Sequence, residues 1–137
     1  MSETGSLFGW LITVGLFLTL LNYPVKAIYK AKIAKLPRDS KTKAIYGRIQ
    51  KVIVTYHRFF ALFTTLMLAA HVVIQLMYRW LSWTGLMAAI LMVINGFLGG
   101  YGHYVKKKKR SAWFYAHRTV AVLLIIAIVV HLVTNGR

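Results

Sequence analysis

Four histidines stand in segments where a titratable side chain is rare. His57-Arg58-x-x-Ala61 is followed by His71, and sixty residues further on His117-Arg118-x-x-Ala121 is followed by His131. Each pair lies in a long apolar run, and an imidazole there calls for a partner. Fourteen residues of α-helix rise about 21 Å and turn to within about 40° of the starting direction, so the two histidines of a pair share a helix face near opposite leaflets. The two histidine-bearing segments have a single apolar segment between them, so they cross a membrane in the same direction. His57 is then expected to meet His117 at one level, and His71 to meet His131 at the other.

Two facing imidazoles can bridge one metal ion or hold a disc-shaped cofactor by both faces. Zinc usually takes four ligands, and neither level has a Cys, Asp or Glu nearby to complete the set. Haem needs only two axial ligands, histidine serves as one, and helix bundles house such cofactors. The expectation is two bis-histidine haems of the b type, with iron on His57, His117, His71 and His131.

Several neighbours have two readings each. Arg58 and Arg118 can neutralise haem propionates or snorkel to lipid headgroups. Ala61 and Ala121, one turn from the inner histidines, can admit a flat macrocycle or simply pack helices. Asn95, Gly96, Gly99, Gly100 and Gly102 clear side-chain bulk from the third apolar segment, for a cofactor or for close helix contact. His103 is a possible accessory group at the cytoplasmic boundary, next to a propionate or on a proton path, or an interfacial histidine with no special role.

The elements that must position these residues follow from composition. Of 137 residues 58% are hydrophobic, mean hydropathy is +0.60, and polar residues gather in islands between four apolar stretches at about 7–25, 52–78, 81–104 and 112–134. Each is long enough to cross a hydrocarbon layer of about 30 Å as a helix, and backbone in lipid must satisfy its own hydrogen bonds. The expected architecture is all-α: one integral membrane four-helix bundle forming a single domain. The first stretch reads as a retained helix, since Glu3 and no Lys or Arg precedes it and no A-x-A pattern follows. The chain has no cysteine, which excludes disulfides, cysteine-ligated clusters and covalent haem attachment. Glu3 and Asp39 are its only acids, too few for a metalloprotease or a carboxylate-driven pump.

Charge gives the topology. Eighteen basic residues leave a net +16. They concentrate in the connection at 26–51 and in the run Lys106 to Arg110, while the second connection has only Arg79 and the tail only Arg137. The positive-inside rule makes the two basic connections cytoplasmic and both termini extracytoplasmic. Trp10, Tyr78, Trp80 and Trp83 would mark the outer interface, and Tyr29, Tyr46, Tyr104, Trp113 and Tyr115 the inner one. Without stacking aromatics or a binding motif the charge argues for no nucleic acid; its default partner is the anionic surface of a lipid bilayer. Pro24 should kink or end the first helix, with a basic helical stretch continuing from Val25 to Leu36 until Pro37 stops it. Asp39 or Ser40 should cap the second membrane helix, Ser82 and Ser111 the next two, and Asn135-Gly136 should end the last.

His57-Arg58 with His71, and His117-Arg118 with His131, resemble the transmembrane haem core of the ferric reductase and NADPH oxidase superfamily over roughly 52–134. The histidine placement on the second and fourth helices is also similar to the cytochrome b subunits of quinol-oxidising complexes. The ferric reductase resemblance implies electron relay across the membrane. No G-x-G-x-x-G fingerprint or α/β dehydrogenase region accompanies it, so a complete NADPH-dependent reductase is not expected. The expected role is an electron-transfer subunit in a cytoplasmic (inner) membrane. A cytoplasmic electron donor or flavoprotein would dock on the basic face, and an acceptor or quinone would be reached at the other. A quinone-linked subunit and, in another class, a small proton or metal transporter stay open as alternatives.

Overall fold

The computed structural model describes residues 2–78, 81–107, 109 and 111–135. Arg79, Trp80, Lys108, Arg110, Gly136 and Arg137, which entered the charge, aromatic and capping arguments, lie outside the described residues. The described chain is helical, with no strand: α1 (Ser2–Leu20), α2 (Asn22–Ala31), α3 (Lys41–Tyr78), α4 (Trp83–Tyr104) and α5 (Ala112–Asn135). Four segments are long and apolar enough to cross a membrane: Gly5–Lys35, Lys41–Tyr78, Trp83–Tyr104 and Ala112–Thr134. At about 1.5 Å per residue even the shortest reaches about 33 Å. The chain is a multi-pass integral membrane protein.

Helix ends follow local chemistry. α1 ends one turn before Pro24, because a proline supplies no N–H to the carbonyl four residues back, here that of Leu20, and its ring crowds that carbonyl. The expected continuous stretch from Val25 to Leu36 is interrupted: α2 stops at Ala31, Lys32 leaves helical geometry, and Ile33–Lys35 form a 3-10 turn. Pro37 ends that 3-10 turn by holding the preceding Leu36 in extended backbone (φ −71°, ψ 152°). The carbonyl of Ser40 accepts the first helical bond of α3 from Ala44 N–H at 3.1 Å. Ser82 caps α4 as expected, its hydroxyl accepting from Gly85 N–H at 3.0 Å.

The chain divides into two compact units, residues 1–67 and 68–137, with α3 contributing to both. In the first, α1 and α2 run antiparallel to the opening part of α3: Gly15 lies against Thr64, Thr19 against His57, and Val25 against Tyr46. In the second, α4 and α5 are antiparallel, with Gly85 against His131, Gly99 against His117 and Gly102 against Trp113. Enclosed positions are few, among them Ile12, Ala88 and Met92. Large apolar side chains such as Phe17, Phe97, Val122 and Val129 point outward, the pattern expected where lipid is the solvent. The sixty-residue offset extends to burial: Thr64 and Leu124 are each 2% exposed, the most enclosed side chains described.

Candidate cofactor-binding histidines

His57 is half-buried on α3, and its Nδ1 lies 3.0 Å from the backbone carbonyl of Thr19 in the last turn of α1. A carbonyl oxygen only accepts, so a neutral imidazole in this bond carries its proton on Nδ1, donates it, and has its lone pair on Nε2. His117 repeats the arrangement sixty residues later, Nδ1 donating to the carbonyl of Asn95 at 3.1 Å. A carbonyl has two lone pairs, so each can serve its own helix and the imidazole together. The ring of His117 also rests on α4 at Gly99, where a Cβ would sit 3.4 Å from its Cε1. Asn95 and Gly99, one turn apart, thus form a flat seat for the ring.

Trp113, one turn before His117, stacks obliquely with it at 6.4 Å between ring centroids. Its indole covers Gly102 so closely that any side chain there would overlap it, and its Nε1 donates to the carbonyl of Lys109 at 2.8 Å. Gly96 and Gly100 face open space. The glycines of α4 therefore divide between a histidine seat, an aromatic seat and positions with no close neighbour.

His131 is anchored differently. Its Nδ1 lies 3.1 Å from Thr84 Oγ1 and 3.3 Å from Ser82 Oγ, both at the start of α4, and a Cβ at Gly85 would come within 3.0 Å of its Cε1. His71 is half-buried on the final part of α3, in the same compact unit as His131.

The remaining candidates are less specific. Arg58 and Arg118 are exposed, and the Arg118 guanidinium packs 4.3 Å over the Phe114 ring one turn away. Ala61 and Ala121 are half-buried one turn from His57 and His117. His103, in the last turn of α4, meets the Tyr104 ring edge-on at 4.8 Å. No group of three or more His, Cys, Asp or Glu gathers among the described residues, so no cage of the kind zinc or calcium takes is formed there. Axial ligation of haem asks for two imidazoles only.

The Nδ1 bonds of His57 and His117 suit that requirement, because they leave Nε2 as the lone-pair nitrogen of the neutral ring. Asn95 Oδ1 is buried with no hydrogen-bond partner among the described residues.

Sequence reasoning missed Thr19, the carbonyl of Asn95, and Ser82 with Thr84 as histidine partners. Nothing in the sequence marks the two carbonyls. At an offset of 76 residues Ser6-x-x-Gly9 matches Ser82-x-x-Gly85, and Thr19 falls opposite Asn95, a different residue type. No protein-family model, curated protein or solved structure matches the chain.

Proposed function

We propose that this chain is a b-type membrane cytochrome that relays electrons across the bilayer, with His57 and His117 holding an inner haem and His71 and His131 an outer one. The observation that carries the reading is the repeated anchoring of histidine Nδ1 to a backbone carbonyl, at His57 on Thr19 and at His117 on Asn95. A metal-ligating histidine characteristically donates its other N–H in this way, which fixes the tautomer and raises the basicity of the ligating nitrogen.

Haem, when bound, supplies a one-electron iron couple. The protein supplies the rest. Nε2 of each histidine would hold the iron, the Nδ1 bonds of His57, His117 and His131 fix ring orientation, Gly85 and Gly99 let the α5 rings lie close to α4, and the apolar helix walls would exclude water. Arg58 and Arg118 are suited to meeting propionates at the cytoplasmic side, where Lys106 to Lys109 and the basic connection at 26–51 would receive an acidic or flavin-bearing donor. This reading places both termini outside a cytoplasmic membrane. It agrees with the resemblance to the ferric reductase core.

Haem quantitation and a reduced-minus-oxidised spectrum of the purified protein test it. Two haems per chain with bis-histidine optical and EPR signatures are expected. His71→Ala or His131→Ala should remove one centre, and His57→Ala or His117→Ala the other. A colourless protein whose function survives replacement of all four histidines would overturn the proposal.

A further inference from the structure

The histidines of α5 are held by different chemistry at their two levels. His117 donates to a carbonyl, a group with no proton of its own. His131 meets hydroxyls, and those hydroxyls are linked: Ser82 Oγ lies 3.1 Å from Thr84 Oγ1, which lies 3.4 Å from Thr134 Oγ1 on α5. Thr134 in turn donates to the carbonyl of Val130 at 2.8 Å.

We infer that Ser82, Thr84 and Thr134 form a hydroxyl relay that positions His131 as an iron ligand and sets the outer centre independently of the inner one. The inference rests on the haem reading above. The proton directions follow from it. With Nε2 on iron, Nδ1 carries the hydrogen and donates to Thr84 Oγ1, the nearer oxygen. Ser82 Oγ already accepts Gly85 N–H. The Thr134 proton is committed to Val130, so its oxygen accepts from Thr84. The donors then run from the imidazole through Thr84 and Thr134 to the carbonyl of Val130, with Ser82 beside Thr84, and each bond polarises the next.

The relay belongs to the second helix pair. By the 76-residue offset Ser82 corresponds to Ser6, but Thr84 corresponds to Phe8, which has no hydroxyl. Thr84 is therefore the positioning residue to test, and Thr84→Val keeps its shape and leaves the Ser82 cap of α4 intact.

The experiment is a spectroelectrochemical titration of the full chain in nanodiscs, with the outer couple identified as the one missing in His71→Ala. In Thr84→Val, loss of the nearer acceptor leaves Nδ1–H only Ser82 Oγ at 3.3 Å and makes the ligand less basic. The outer potential should rise and its EPR signature shift, with haem affinity at that level falling by about 10- to 100-fold, while the inner couple stays in place. Thr84→Ser should restore the wild-type outer couple, which a purely steric role of the threonine would not do. Two haems with neither couple moved by Thr84→Val, or both moved alike, would overturn the relay and leave the dihaem reading standing. A wild-type chain that binds no haem would overturn both.

Discussion

A glycine in a membrane helix does one of two things, and the neighbours of its missing Cβ say which. At Gly15 and Gly102 an added methyl would overlap Thr64 and the Trp113 ring, so the helices are in contact there. At Gly96 and Gly100 it would meet nothing within 4 Å. Overpacking costs about 1–3 kcal/mol, whereas the gain in helix propensity from glycine to alanine is about 1 kcal/mol at most, so the clash decides the sign wherever there is one. Gly15→Ala and Gly102→Ala should lower the thermal midpoint in detergent. Gly96→Ala and Gly100→Ala should leave it unchanged or raise it. Gly85→Ala, with contacts of 3.0 and 3.2 Å to His131 and Ser82, should fall between them and disturb His131 first. If Gly102→Ala proved as stable as Gly100→Ala, Trp113 would not be seated on α4.

The connection between α2 and α3 buries Ile33 and is also tied to α3 by hydrogen bonds. Its 3-10 turn leaves carbonyls that no helix bond satisfies, and Lys43 from the first turn of α3 reaches back to donate to Ala34 O at 3.0 Å and Leu36 O at 2.7 Å. Tyr46, one turn on, donates to Val25 O at 3.0 Å and packs against Tyr29. Bonds from a charged donor are worth about 1.5–3 kcal/mol, and exposure to solvent lowers this to about 1 kcal/mol here. Lys43→Met keeps the apolar stem and removes the donor. Amide exchange over 32–40 should accelerate by roughly fivefold, with the membrane helices unaffected. Unchanged exchange would mean that Pro37 and the tyrosine pair hold the segment unaided. The sequence located both proline breaks, but the lysine bridge depends on a loop path that spacing does not specify.

Across the whole molecule the uneven distribution of basic residues underlies the proposed orientation, and the absence of cysteine makes that directly testable. Single cysteines placed at Ser40 and Lys109 should react with a membrane-impermeant thiol reagent only from the cytoplasmic side, and one placed near the N-terminus, at Gly5, only from the opposite side. Labelling of Gly5→Cys from the cytoplasm would reverse the proposed orientation and with it the assignment of inner and outer levels. The exposed apolar faces of α1, α3, α4 and α5 require lipid whichever orientation holds.

Composition and periodicity alone determined that the chain is all-helical with four membrane segments, because a backbone in hydrocarbon has few solutions and twenty-odd apolar residues leave little choice among them. The histidine repeat was equally legible, being a matter of identity and spacing. Which atoms hold those histidines was not. Carbonyls carry no residue identity, so Thr19 and Asn95 became partners of His57 and His117 only once antiparallel packing set their depth. The hydroxyls of Ser82 and Thr84 could have been spent on capping alone, and the crossing of α4 with α5 brought them to His131.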